Sequence, residues 1–516
     1  LLAAGCIWLQ LAAPASAAGS KQGAANNSLA RSYFLSAQKA LAAGDSVTAI
    51  ENLQQAVQAD PKFAEAYLLL GLTEFQRGET QKSIRHYEQA LELQPQSYAG
   101  HYNLALAYLR ERRLEQGRTQ LEQAVKLDPN QADAAYDLGV VLLEAGQPSL
   151  ALTHLIRARH LNPRRPDVAF NIVRAELVLG RVSEAREQAQ AAAVHFGHDF
   201  QWNAGVGQLF LKNAAPKDAA VYLGQASRMR PDDHEIGHQL ALAYLGSGQP
   251  QPVLDMVREP KTAEEHYLRG SAYYLDHRFE EADQESEAAL TLDSENPRAL
   301  ALRTRLLQRA GQQDAAIELA RKTARLAPDW DEPYYLSGVS LYFVGRFPEA
   351  GQDLARAVEL NPNSARALFL EAAALLNQGK RKEAEQCLRR ALALEPNNAR
   401  FHCHLGLLLA RQNQEVAAEE SFRKAIALSP KYAVSYYELG KLLVQSNRLP
   451  EAAEALSRAV DYDPGLSAAY YQLARVYARL GEVEKSKHVL AEFEKLHQRE
   501  MTDSQALDED ARKETE

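Results

Sequence analysis

PKFAEAYLLLGLTEFQRGETQKSIRHYEQALELQP, residues 61–95, begins and ends on proline, and the 34-residue interval from Pro61 to Pro95 is the period of the chain. Pro129, Pro163 and Pro231 continue the grid, with Gly197 at the one missing member. Pro328, Pro362, Pro396, Pro430 and Pro464 repeat it, and Ser294 stands one period before Pro328. Ten residues past the grid point most periods carry a small residue, as at Gly71, Ala105, Gly139, Gly207, Gly338, Gly406 and Gly440. Two more small positions follow, held for example by Ala151 and Ala158 or by Ala350 and Ala357. Between these points apolar residues recur every three to four positions, the spacing of an amphipathic helix. Each period therefore reads as two helices joined by turns such as Arg77-Gly78, Ala145-Gly146 and Leu480-Gly481.

One such hairpin cannot bury its apolar face. Stacked on its neighbours it shares a continuous core, and stability accumulates by nearest-neighbour contacts. The length of 516 residues suits an open-ended array, as does a composition rich in Ala, Leu, Glu, Gln and Arg with regularly spaced Gly and Pro. The net charge is −9, with Lys and Arg interspersed among Asp and Glu. That balance argues against a general affinity for nucleic acid or an anionic membrane surface.

The period and the order of residues along it resemble the tetratricopeptide repeat (TPR). Tyr67-Leu68-Leu69-Leu70-Gly71 followed by Ala90 and Pro95 carries the pattern, as does Tyr436-Tyr437-Glu438-Leu439-Gly440 followed by Ala452, Ala459 and Pro464. The match spans residues 30 to 500. It departs from the family where Trp is absent from the bulky position, where Glu74 and Glu176 replace an aromatic or Leu, and where Phe493 replaces the last small residue. The resemblance implies an all-α, right-handed superhelical solenoid of about fourteen helix-turn-helix units that binds other proteins.

One unit is irregular. Its second helix is pinched between Gly248-Gln249-Pro250-Gln251-Pro252 and Pro260, and prolines at that density shorten a helix. The expected organisation is an N-terminal arm over 30–233, a short irregular repeat over 234–262 that either bends the superhelix or only shortens one helix within it, and a C-terminal arm with a capping helix over 263–500. Residues 18–29 read as a flexible lead-in, and the acidic 501–516 as a disordered tail.

Leu1 to Ala13 is an uncharged apolar run, and Pro14-Ala15-Ser16-Ala17 supplies small residues for cleavage, so 1–17 reads as a signal peptide. With no Met at position 1, the precursor is expected to begin upstream. Export to a periplasm follows as the expectation. Ala3-Ala4-Gly5-Cys6 offers a lipid-attachment alternative, although apolar sequence continues past Cys6. No other stretch is long and apolar enough to span a membrane. Beyond Cys6 only Cys387 and Cys403 remain, which is no disulfide scaffold.

His234-Glu235-Ile236-Gly237-His238 fits H-E-x-x-H, in which two histidines one helical turn apart hold zinc and the Glu activates water. Glu264 or His266 would be candidate third ligands. The motif is nevertheless in phase with the repeat grid, and the chain has no room for the sheet that zinc peptidases of this signature carry. His402-Cys403-His404 cannot converge, because neighbours on a helix point about 100° apart. No cofactor, phosphate-binding loop or catalytic triad is expected.

By resemblance, the first helix of each unit lines a concave groove. There the chain carries Tyr102, Tyr136, Phe170, His238, Tyr267, Tyr335, Phe369, Tyr437 and Tyr471. Outer groove positions are acidic toward the N-terminus, at Glu65, Asp133, Asp167, Glu235 and Glu264. Toward the C-terminus they are basic, at Arg298, Arg305, Arg309, Arg366, Arg400, Arg411, Lys441, Arg475 and Arg479. An acidic or carboxylate-bearing partner segment is therefore expected in the C-terminal arm, with Arg giving forked hydrogen bonds and aromatics giving contact area. Aromatics occupy the first position of the family's Lys/Asn clamp, and its asparagine ladder is partial: Asn103 and Asn171 fit, Leu69, Leu302, Leu336 and Leu370 do not. The function expected is a non-catalytic scaffold or adaptor in an envelope assembly, alternatively a component of polysaccharide export or outer-membrane assembly, with a zinc metallopeptidase acting through His234, Glu235 and His238 as the alternative from another class.

Overall fold

The computed structural model describes residues 21–513. The signal-peptide reading of 1–17 falls outside them. Among the described residues the chain is all helix, with 28 helices from α1 (Lys21–Ala42) to α28 (Val483–Lys513) and no strand. Taken two by two in chain order, they form one hairpin per period. None of the described helices is long and apolar enough to cross a membrane.

Each hairpin closes through a backbone device that the glycine signal only half reveals. From α3 (Ala64–Gln76) onward, the backbone turns left-handed fourteen residues past the start of every first helix. Glycine holds this place at Gly78, Gly146 and Gly481, but Arg112, Ala214, His277, Asn413 and Asn447 adopt the same positive φ. The following N–H then reaches back five residues, as from Glu79 to Glu74 O at 2.9 Å and from Arg113 to Tyr108 O at 2.9 Å. This 6→1 closure satisfies helix carbonyls that would otherwise face water unpaired.

The small positions are the close approaches. Ala151, Ala185, Ala350 and Ala452 are fully buried, as are Ala124, Ala158, Ala357 and Ala459. A Cβ on Gly338 would lie 2.5 Å from Leu354 Cγ, and one on Gly139 would lie 2.6 Å from Leu155 Cγ. At Gly139 and Gly338 the first helix is thus held against a leucine of the second, sixteen residues on, at a distance that leaves no room for a Cβ.

The chain divides into two compact units, one ending at Met256 and one beginning at Val257. In unit 1 the last helix, α14 (Pro250–Met256), has 7 residues where the other second helices have 14 or more. Pro250 and Pro252 open it, and only Val253 is buried from it. Unit 2 begins with α15 (Ala263–Leu275), whose Thr262 and Glu265 form a reciprocal capping box.

Both ends differ from expectation. Helix α1 begins at Lys21, within the stretch read as a flexible lead-in, and α28 continues to Lys513, through most of the stretch read as a disordered tail. The physical reason is propensity: residues 501–513 contain Met, Gln, Ala, Leu, Glu and Lys with no Gly or Pro to stop a helix already running.

Candidate partner-binding surfaces

In unit 1, three first helices position the relevant side chains: α5 (Tyr98–Arg110), α7 (Ala132–Glu144) and α9 (Pro166–Val178). Tyr102 is fully buried and its hydroxyl donates to Asp137 Oδ2 at 2.8 Å. One repeat later, Asn171 Nδ2 donates to the hydroxyl of Tyr136 at 3.3 Å. The two pairs have the same separation of 35 residues, so the aromatic of one repeat is tied to the polar residue that follows it in the next. Tyr102 and Tyr136 are therefore bonds between repeats and not free faces for a ligand, contrary to the groove reading. Phe170 is half-buried and its ring closes over Gly205.

Burial pushes the Asp137 carboxyl up to about 6, with Asp133 and Asp167 adding to the rise while the Tyr102 hydroxyl and Arg165 oppose it. Arg165 lies across the Tyr136 ring, 4.4 Å from its centroid, and pairs with Asp133 Oδ1 and Asp167 Oδ2 at 2.6 Å each. Two of the acidic outer positions are thus neutralised internally.

In unit 2 the basic row is also partly spent. Arg298 pairs with Glu264 one repeat earlier, and Arg366 with Glu332, again 34 residues back. Glu332 is 5% exposed and receives Arg305 as well, at 2.6 Å. Burial alone would raise its carboxyl, but the two guanidiniums outweigh burial and hold it below the usual range. Lys441 pairs with Glu438 at 2.8 Å and sits 5.0 Å from the Tyr437 ring. Arg479 donates to Asn447 and Arg309 stacks on Phe279. Arg298, Arg366 and Lys441 are consequently not open sites, which corrects the uniform basic stripe expected. Tyr267, Tyr335 and Tyr437 are half-buried.

Five cations of the row are exposed with no carboxylate partner among the described residues: Arg309 and Arg479, engaged by Phe279 and Asn447, and Arg400, Arg411 and Arg475. Arg400 is held over Phe369, 4.9 Å from the ring, and Phe369 is itself fixed by Phe401 and His404 at 5.0 and 4.7 Å. Burial, with Arg400 and Arg411 adding to it, pushes the His404 imidazole down to about 4. It is neutral at ordinary pH. Arg475 lies over Tyr471, whose ring is 43% exposed and rests on Phe493. Phe343, 70% exposed at the end of α19 (Asp331–Phe343), lies outside the predicted row.

His234 opens α13 (His234–Gly246), with half-buried His238 one turn on, and Glu235 accepts from Gln239 Nε2. The suggested further ligands are engaged elsewhere, Glu264 with Arg298 and His266 with Glu285 at 2.8 Å. Among the described residues no three His, Cys, Asp or Glu side chains are grouped to hold a metal ion. Cys387 and Cys403 are both buried free thiols.

Fold and surfaces define a helical-repeat protein in which residues one period apart bond each other. Family models described as Tetratricopeptide repeat match residues 102–166, 136–199, 335–380, 369–433, 409–465 and 467–496, and one described as TPR repeat matches 71–111. Together they cover more than half of the chain, which belongs to the tetratricopeptide repeat family. No curated protein sequence matches it. Among solved structures, the chain is similar to the APC/C hetero-tetramer Cut9–Hcn1, at 15% identity over 88% of this chain and 98% of that one, TM-score 0.48. It is also similar to the human IFIT1 dimer with m7Gppp-AAAA, at 16% identity over 71% and 90%, TM-score 0.42. A third is YrrB, a TPR protein with an unusual peptide-binding site, at 22% identity over 36% and 96%, TM-score 0.33.

Proposed function

We propose that the chain is a non-catalytic scaffold whose unit 2 receives an acidic, carboxylate-bearing segment of a partner protein at Arg400, Arg411 and Arg475. The observation that carries this reading is Arg400: on a row where Arg298 and Arg366 are neutralised by carboxylates one repeat back, it is exposed, unpaired and preoriented on Phe369. A guanidinium fixed on an aromatic ring loses little freedom when it forms a forked hydrogen bond, so it is a good anchor for a carboxylate. Neutral His404 beside it adds an apolar wall and no competing charge. The apolar run of residues 1–17 supports work in an exported, envelope setting, polysaccharide export or outer-membrane assembly being the alternative within it.

The test is a pull-down of residues 18–516 from envelope extract beside an Arg400→Glu, Arg411→Glu, Arg475→Glu variant. A partner kept by the first and lost by the second supports the reading. A partner indifferent to the reversal removes this site. Stoichiometric zinc together with peptidase activity lost in Glu235→Gln would overturn the non-catalytic reading.

A further inference from the structure

The Arg165 site shows how this fold holds a basic side chain: a guanidinium between carboxylates on successive first helices, Asp133 and Asp167, and over the Tyr136 ring. Two periods earlier the positions of Asp133, Asp167, Arg165 and Tyr136 are Glu65, Ala99, Ser97 and Leu68. The first carboxylate is kept, but the arginine is replaced by serine. Those four residues line a depression of about 1020 Å³, together with Gln94, Pro95, Gln96, Tyr98, Leu127 and Asp128. The depression lies where the internal arginine side chain is missing.

What remains there lacks a cation. Glu65 is half-buried, and no hydrogen bond or ion pair engages its carboxylate among the described residues. Tyr98 is 7% exposed, stacks on Tyr102 at 5.7 Å, and its hydroxyl has no hydrogen-bond partner. Among the described residues Asp128 accepts only from its near neighbours in sequence, Asn130 N and Gln131 Nε2. Leu68, Pro95, Ala99 and Leu127 supply an apolar wall for an aliphatic stem. A half-buried carboxylate left unpaired, and a buried, unsatisfied hydroxyl in the lining of the same depression, are costs that a donor-only group with a long stem lowers.

We infer that this depression in unit 1 is a docking site for an arginine side chain presented by a partner's extended segment, with Glu65 as the salt-bridging residue. It takes the opposite charge to the site proposed in unit 2 and does not depend on it.

The experiment uses residues 18–516 and two fluorescently labelled probes, acetyl-Ala-Ala-Arg-Ala-Ala-amide and the same peptide with citrulline, read by fluorescence anisotropy. Citrulline keeps the shape and removes the charge. The expected result is roughly tenfold tighter binding of the arginine peptide to the unaltered protein, the size of a charge-assisted, partly buried hydrogen bond. Glu65→Gln abolishes that preference. Ser97→Arg, which restores the internal pattern of Arg165, abolishes binding. Its ion pair with Glu65 offsets the lost Ser97 cap on Gly100 N, so the fold persists in thermal melts and the loss of binding is not a loss of structure. Arg400→Glu leaves the preference unchanged. Equal binding of the two peptides by the unaltered protein, or a preference that survives Glu65→Gln, would overturn the inference.

Discussion

Arg366 reaches back one full repeat to Glu332, and the same buried carboxylate takes Arg305 on its other oxygen. One carboxylate therefore joins consecutive hairpins of unit 2, while Arg400, the next cation along the row, has none. Identical residue types at equivalent positions are thereby assigned different work.

Charge reversal separates the two. Arg366→Glu places a second carboxylate beside one that is 5% exposed. We expect it to lower stability by about 1–3 kcal/mol, the lower end reflecting the solvent exposure of Arg366 itself. Arg400→Glu should change stability by less than about 0.5 kcal/mol, as exposed substitutions do. Urea titration of both variants checks this. An equal loss in each would mean that Arg400 is structural.

The Asp137 carboxyl sets a pH dependence in unit 1. Its folded pKa, about 6, lies above the ordinary carboxylate value of 3.8. The native state therefore binds more protons between these values, and stability falls as pH rises through that window. Asp137→Asn, which installs the residue type present at Asn103 and Asn171, should stabilise the protein at pH 8 by on the order of 1–3 kcal/mol and flatten its stability between pH 4 and 6. Thermal melts across that range decide it.

The Tyr102–Asp137 bond should be coupled to the same charge. Tyr102→Phe leaves a buried carboxylate short of a donor and should cost about 1–3 kcal/mol at pH 8, but clearly less in the Asp137→Asn background. A double-mutant cycle reads the difference. Equal costs in both backgrounds would show that the hydroxyl acts by packing alone.

His404 works in the opposite sense in unit 2. Its folded pKa of about 4 lies below the ordinary 6.5. The unfolded chain binds the extra proton, so stability is complete above pH 6.5 and is lost as pH falls toward 4. His404→Gln should blunt that acid loss, measured by denaturant melts at about pH 4.5 and 7.

Ala214 has φ 54°, in the left-handed region at the hairpin turn. Ala214→Gly relieves the clash of Cβ with its own carbonyl and should stabilise the turn by about 0.5–1 kcal/mol, partly offset by the entropy of glycine in the unfolded chain. Gly248→Ala, at the equivalent turn where φ is 72°, should do the reverse. Melting temperatures of the two variants moving the same way would refute the turn argument.

The fold was legible because its determinants are local and periodic. Proline, glycine and alanine recur at the same offsets along the chain, and the helical spacing of leucines needs no distant partner to be read. The left-handed turns at Arg112, Ala214 and His277 were less visible, since nothing about those side chains asks for positive φ; the stacked hairpins impose it. The ends show the converse: their composition is as polar as that of a disordered chain, yet α1 begins at Lys21 and α28 runs to Lys513.

The sequence by itself determined the number of hairpins, which residues pack between them and the sign of charge along each row, because these follow from spacing and composition. It could not say which charges are spent. Whether Arg366 and Arg400 are free, or Asp133 and Glu65 are satisfied, depends on what lies one period away after stacking, and an ion pair is made by distance in space. Only the tertiary structure therefore decided that Tyr102 and Tyr136 are bonds between repeats and that Arg400 and Glu65 have no oppositely charged partner among the described residues.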